Sequence, residues 1–401
     1  MTYRERAAEK RPSRPYRSCP SLPETLLSDP LRATGRKALV ALAVVCLLFA
    51  GSSVAVAAGM PTQDRYLSLA AAGVAQTQSH FYVARRGWYV ERLNDRALHP
   101  LATIWGSVPL FESITALDMT QPTVARRRAV DRFAHGAERY FDRAIGGYAP
   151  YPGDRGVVKA WFDDNGWWGL AFVDAYRATG EARYLRDADR ALAFALAAGW
   201  DQRAGGLWWN TGHPYKSGEA LAANSWLAAQ LYRLTHRLRY EAAARQLMDW
   251  GRTALWDARD GLYARSDRDP TPMPYVEGPM IAAEDALCQA GGAPTSCAAS
   301  QALAAESLKR FRALSMGPQF DVIYLRALLY TYADTHDARL YEVAQANAEE
   351  ALGHAGDHSG LYLRAWDGSS MASHQASAKM LRTHAATVSL LAALAATRPP
   401  G

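Results

Sequence analysis

Asp163 and Asp164 stand side by side in the stretch Trp161-Phe162-Asp163-Asp164-Asn165-Gly166-Trp167-Trp168. Two carboxylates in contact resist double ionisation, so one of them keeps its proton to higher pH than the other. A proton donor beside an ionised carboxylate is the equipment for breaking a glycosidic bond: one group protonates the leaving oxygen and the other attacks the anomeric carbon. Consecutive Cα atoms are about 3.8 Å apart. Adjacent aspartates at a bent helix start can therefore reach the roughly 5–5.5 Å carboxyl separation of retaining enzymes and fall short of the wider gap of inverting ones. The same pair has a structural reading. An Asp at a helix start caps first-turn amides and complements the helix dipole. Trp167 and Trp168 are likewise either a platform for a sugar ring or apolar filling on the core face of the helix. The motif by itself leaves both readings open.

The elements that would position this pair are helices. After the motif, Phe172-Val173-Asp174-Ala175-Tyr176 runs into an Ala/Leu-rich amphipathic segment ending near Ala198, and strand-like alternation is scarce throughout. Tyr176 to Tyr184, YRATGEARY, recurs as YRLTHRLRY from Tyr232 to Tyr240, with a weaker copy, YADTHDARLY, from Tyr332 to Tyr341. Each copy reads as a helix end, a short turn and the next helix start. Between these hairpins a Gly-aromatic element returns: Gly87-Trp88-Tyr89, Gly147-Tyr148, Gly206-Leu207-Trp208, Gly261-Leu262-Tyr263 and Gly360-Leu361-Tyr362, with Met316-Gly317-Pro318 as the degenerate copy in the one wide gap. Six units of two helices predict about twelve helices. An open superhelix and a closed ring, the (α/α)6 barrel, are both buildable. The ring is favoured because the long aromatic and polar loops would then converge at one end over a central cleft.

The net charge of +6 belongs to the leader. Residues 1–37 hold nine basic and four acidic side chains, +5, which leaves +1 for the remainder and argues against a nucleic-acid partner. Residues 1–36, with five prolines, are expected to be disordered. Residues 37–59 lead into or lie within an uncharged run, Ala38 to Met60, long enough to enter a bilayer. With positive charge before it, this segment is a signal peptide or an uncleaved membrane anchor, the body lying outside the cytoplasm in either case. Residues 60–398 form the globular domain. Cys288 and Cys297 are the only cysteines of the body, and the turn-rich segment between them suits a disulfide in an oxidising compartment, the alternative being two buried thiols. No metal-ligand spacing is present, so neither metal nor cofactor is expected.

WFDDNGWWGLAFVDAYRATGEARYL resembles the signature region of glycoside hydrolase family 76, the endo-α-1,6-mannanases and their wall-remodelling relatives. The later Gly205-Gly206-Leu207-Trp208-Trp209-Asn210 resembles that family's Gly-Gly-x-Trp-Trp-Asn loop, and Lys216 to Asn224 its Lys…Asn segment. The resemblance covers about residues 65–395 and implies an (α/α)6 barrel. It implies Asp163 as nucleophile and Asp164 as acid/base, with Trp167, Trp168, Trp208, Trp209, Asn210, Lys216, Asn224 and Tyr275 around an α-mannan-like polysaccharide and no cofactor. The family commonly has Tyr-Asn-Gln-Gly where this chain has Tyr275-Val276-Glu277-Gly278. Glu277 is then either an extra carboxylate in the cleft or a helix-start acid. The expectation is an exported or membrane-anchored, monomeric, retaining glycosidase acting on α-1,6-mannan. The rivals are a transglycosylase, another sugar enzyme on the same fold, and a non-catalytic glycan-binding envelope protein.

Overall fold

In the computed structural model, residues 62–93, 101–153, 159–291, 294–369 and 379–401 are described. The expected leader, 1–59, lies outside them. Among the described residues no helix is long and apolar enough to cross a membrane.

Twelve α-helices occur among the described residues: α1 Thr62–His80, α2 Ile104–Thr120, α3 Val124–Ala137, α4 Phe162–Thr179, α5 Ala182–Gly199, α6 Gly218–Thr235, α7 Leu238–Ala254, α8 Pro274–Gly291, α9 Pro294–Arg310, α10 Pro318–Thr335, α11 Ala338–His354 and α12 Leu381–Ala396. Their burial divides them into two kinds. In α6 every residue from Gly218 to Leu231 is buried, and α2, α4, α8 and α12 are nearly as enclosed. A helix covered on all faces belongs inside other helices. By contrast α5 buries Tyr184, Ala188, Ala191, Leu192, Ala195 and Gly199, one stripe at helical spacing. Each even-numbered helix packs on the next, and α12 packs back on α2, which closes an inner ring of six. The odd-numbered helices lie outside it, α1 against α12 and each of the others against the helix before it. This is the closed (α/α)6 ring rather than the open superhelix.

Small residues allow the inner helices to approach closely. A Cβ on Gly166 would sit 2.8 Å from the Ala223 Cβ across the α4–α6 contact, and one on Gly278 would sit 2.8 Å from the Tyr324 Cα across α8–α10. Such distances would force the helices apart.

The inner-to-outer turns are tight. Gly180, His236 and His336 end α4, α6 and α10 in the left-handed conformation, with φ of 75°, 52° and 56°. Glycine is the residue that takes this cap without steric cost. Replacing His236 or His336 by Gly is expected to stabilise the fold by about 0.5–1 kcal/mol each, the relieved strain less the added entropy of the unfolded chain. A thermal melt that shows either variant no more stable than the parent would mean that the imidazole contacts with Tyr232 and Tyr332 outweigh the strain.

The Gly-aromatic elements are the opposite connections. Three of them form two-residue hairpins, β1 Tyr82–Val83 with β2 Trp88–Tyr89, β3 Phe141–Asp142 with β4 Gly147–Tyr148, and β5 Trp256–Asp257 with β6 Leu262–Tyr263. Single bridges Trp200–Leu207 and Gly356–Tyr362 replace the hairpin in two other copies. In the degenerate copy Gly317, with φ 119°, precedes α10. All these connections lead from an outer helix into the start of an inner one, so the six inner N-termini and the long loops share one end of the ring. Cys288 and Cys297 are bonded and tie the end of α8 to the start of α9 at the other end, with Cα atoms 4.9 Å apart.

Candidate active site

The first turns of the inner helices converge on a cavity of about 380 Å³. The second residue of a helix is the one aimed into it in five of six cases: Trp105 from α2, Asp163 from α4, Glu219 from α6, Tyr275 from α8 and Arg382 from α12. From α10 the third residue, Phe320, reaches the cavity instead. Asp164 follows Asp163 into the same space, so both carboxyls of the motif face it. Loops complete the wall with Tyr151, Trp161, Trp209, Arg265, Met273 and Met316. The result is a polar floor of three acids and Arg382 under a rim of flat rings and Arg265. Hexose binding uses such a combination, since a sugar ring stacks its C–H face on aromatics and offers its hydroxyls to charged partners.

The start of α4 is held from three directions. Trp161 is its N-cap, with extended backbone and no side-chain cap hydrogen bond, and both aspartates follow it in the first turn. Asn165 accepts from the Tyr148 amide at 2.7 Å and donates to the Tyr148 and Trp161 carbonyls at 3.1 and 2.8 Å. Asn224 on α6 donates to the Phe162 carbonyl at 2.9 Å. The Phe162 amide donates to the Trp209 carbonyl at 3.1 Å.

Tyr275 donates its hydroxyl to Asp163 Oδ2 at 2.9 Å and accepts from the Trp167 indole N–H at 2.6 Å. Burial first, then the Glu219 charge, push the Asp163 carboxyl up to about 7, while the Tyr275 hydrogen bond pulls it down. Burial and the neighbouring Asp163 hold Asp164 well above the usual carboxylate range, and Arg382 works in the opposite direction. Burial and Asp163 also hold the Tyr275 hydroxyl well above its ordinary value, so it remains a donor. The site thus contains one carboxyl that keeps its proton and a second poised near neutrality.

Of the residues expected around substrate, Asp163, Asp164, Tyr275 and Trp209 line the cavity. The others do not. Trp168 is fully buried against Tyr140, Tyr148 and Phe172. It lies a further 100° around α4 from Trp167, on the core side. Trp167 sits beneath the cavity as the partner of Tyr275. Trp208 stacks on His213 and covers Lys216, whose ammonium lies 4.3 Å from its ring. Lys216 is itself buried and pairs with Asp201 at 2.8 Å, holding that carboxyl down at about 2. Asn210 turns the loop by accepting from the Gly212 amide at 2.8 Å. Asn224 is the α4–α6 clamp described above. Glu277 is fully buried, accepts from the Tyr263 amide at 2.9 Å and faces the β5–β6 hairpin. Two residues on from Tyr275 it points the other way around α8, so the Val276-Glu277 departure does not line the cavity.

Glu219, Arg265, Arg382, Trp105, Tyr151 and Phe320 escape a reading of the motifs. Their signal is positional: aligning the six helix starts brings Trp105, Asp163, Glu219, Tyr275 and Arg382 into one column.

The sequence profile of glycosyl hydrolase family 76 matches residues 61–313. No curated protein matches the chain by sequence. Among solved structures, a family 76 α-mannanase from Bacteroides thetaiotaomicron superposes with a TM-score of 0.73 at 21% identity, over 82% of this chain and 95% of that one. An inactive variant of an α-1,6-mannanase from Salegentibacter sp., with two consecutive aspartates changed to asparagine and α-1,6-mannotriose bound, gives 0.67 at 18% identity, over 82% and 99%. Cellobiose 2-epimerase from Spirochaeta thermophila shares the ring at 0.59 and 15% identity, over 84% and 98%.

Proposed function

Because the chain belongs to glycosyl hydrolase family 76, we propose that it cleaves α-1,6-linked mannan, or a closely related envelope polysaccharide, by double displacement at Asp163 and Asp164. The observation that carries this reading is the convergence of both carboxyls in one aromatic-walled cavity, with Tyr275 donating to Asp163. The Salegentibacter relative, inactivated at two consecutive aspartates and holding α-1,6-mannotriose, supports the same choice of substrate.

The chemistry follows from the two environments. Asp163 Oδ2 is occupied by the Tyr275 hydroxyl, while Oδ1 has no hydrogen-bond partner among the described residues. Oδ1 attacks the anomeric carbon as the glycosidic C–O bond breaks, and Asp164 gives its proton to the departing oxygen. Asp164, now a carboxylate, takes a proton from water. The water oxygen bonds to the anomeric carbon and Asp163 is released. No metal or cofactor enters these steps.

Removing the Tyr275 hydroxyl tests the arrangement around Asp163. Tyr275→Phe is expected to lower kcat/KM about 10–100-fold, in the range of a lost transition-state hydrogen bond. The acidic limb of its pH profile should move upward, because the hydrogen bond that favours ionised Asp163 is gone. An unchanged rate and profile would show that the hydroxyl is spectator packing.

Export is supported by the basic leader followed by the uncharged run Ala38–Met60, and by the Cys288–Cys297 bond. The substrate assignment is checked by incubating the full-length protein with linear α-1,6-mannan and sizing the products. Release of short oligosaccharides is expected. Products longer than the starting chains would identify a transglycosylase, and intact polymer with retained binding would identify a glycan-binding protein instead.

A further inference from the structure

Two ion pairs flank the aspartates, and they face the cavity in opposite senses. On one side is Glu219, 5% exposed, with Oε2 accepting from Ser217 Oγ at 2.6 Å and Oε1 from Arg265 Nε at 2.8 Å. Arg265 lies at the exposed rim, so the Glu219 anion is the charge on the floor next to Asp163. On the other side Arg382 is the charge on the floor. Its Nε donates to Glu91 Oε1 at 2.6 Å. Glu91 does not line the cavity; it is buried behind Arg382 and is fixed by the Thr103 amide and hydroxyl at 2.7 and 2.8 Å. Both inward-facing residues occupy the second position of their helices, α6 and α12. The other groups that face the pair are uncharged while their hydroxyls hold: Tyr275 from α8, Tyr215 from the loop before α6 and Tyr151 from the loop after β4. α2 and α10 contribute only Trp105 and Phe320.

We propose that Glu219 and Arg382 are the positioning residues that favour the opposite charge changes of the first step, Glu219 acting on Asp163 as it loses its charge and Arg382 on Asp164 as it gains one. The inference rests on the hydrolytic reading above. The transition state of glycoside cleavage carries positive charge at the anomeric carbon, and a fixed anion beside the nucleophile stabilises it. It also keeps Asp163 a more basic, hence better, nucleophile. On the far side the acid must end its step as a carboxylate, and a fixed guanidinium stabilises that product. The two effects have opposite signs in the electrostatics: the Glu219 charge raises the Asp163 carboxyl and the Arg382 charge lowers the Asp164 carboxyl. Exchanging the two charges would work against both steps. This gives a reason for two ion pairs built in reverse order at one site.

The test is the pH profile of kcat/KM on linear α-1,6-mannan with the full-length protein. Removing the anion lets Asp163 ionise at lower pH, so Glu219→Gln is expected to move the acidic limb down by about one pH unit and lower the plateau. Removing the cation makes Asp164 hold its proton longer, so Arg382→Met is expected to move the basic limb up by a similar amount. Arg382→Lys, which keeps the charge, should leave the basic limb near that of the parent. Arg382→Met strands Glu91 without its cation. If it fails to fold, the double variant Glu91→Gln/Arg382→Met removes both charges and carries the same expectation. Uniform loss of rate with both limbs unmoved would overturn the proposal and leave the ion pairs as scaffolding. A parent protein that releases no product would overturn the hydrolytic reading itself, a distinguishable failure.

Discussion

Asp163→Asn and Asp164→Asn are each expected to lower kcat on α-1,6-mannan by at least about 10³-fold, the range for losing a nucleophile or a general acid, with KM little changed. The side chains are near-isosteric and the clamps on α4 use neither carboxyl, so the cavity should keep its shape. Asn165, Asn224 and the Trp209 carbonyl hold the backbone in both variants. The two losses should differ in kind. An aryl α-mannoside with an acidic phenol needs no proton to depart, so Asp164→Asn should recover much of its first-step rate on such a substrate. Asp163→Asn should not recover, because an amide oxygen is a poor nucleophile. Equal behaviour of the two variants on both substrates would contradict the division of roles. Unchanged kcat in either would remove that residue from the chemistry.

The same substitution should make the protein more stable at neutral pH. Burial and Glu219 raise the Asp163 carboxyl from 3.8 to about 7. The native state therefore binds this proton more tightly than the unfolded chain does. The stability associated with the protonated form is fully present below about pH 4 and is lost as pH rises through about 7. A neutral Asn avoids that loss. Asp163→Asn is expected to match the parent below pH 4 and to exceed it by on the order of 2–4 kcal/mol above pH 7, given about 1.4 kcal/mol per pKa unit and a proton shared with Asp164. Melting curves from pH 4 to pH 8 measure this directly. A gain that is constant across the range would point to packing rather than ionisation. Glu112, Asp285 and Asp321 are also raised to about 7 by burial, so the parent itself should lose stability over the same interval. A carboxyl pair that costs stability while ionised is the expected companion of an active site.

Much of the ring was legible in the chain. The Gly-aromatic elements became the outer-to-inner connections, and even Met316-Gly317-Pro318 fell at its expected place before α10. The repeats of Tyr176, Tyr232 and Tyr332 became the three left-handed helix caps. Closure of the ring needed one further argument, the loops gathering at one end. The site was less legible for a physical reason. An inner helix is buried on every face, so no polar stripe marks which residues look into the cavity and which into the protein. Polarity then misleads. Lys216, Asn210, Asn224 and Glu277 carry the right chemistry, but Lys216 pairs with Asp201 and the other three satisfy backbone groups. Trp168 shares a motif with the acids and ends in the core. Glu219 and Arg382, more than 160 residues apart in the chain, meet at one cavity because their helices start at the same end of the ring. The one-residue phase that sends position two inward is visible only once the helix starts are known.

In double displacement Asp163 forms a covalent bond to the sugar. The most direct measurement is peptide mapping by mass spectrometry after brief incubation with a 2-deoxy-2-fluoro-α-mannosyl fluoride, which slows release of the intermediate more than its formation. The expected result is one fluoromannosyl adduct on the peptide Ala160–Arg177, localised to Asp163 by fragmentation. An adduct on Asp164 or Glu219, or turnover of the fluoride to a product of inverted configuration with no adduct, would contradict the account.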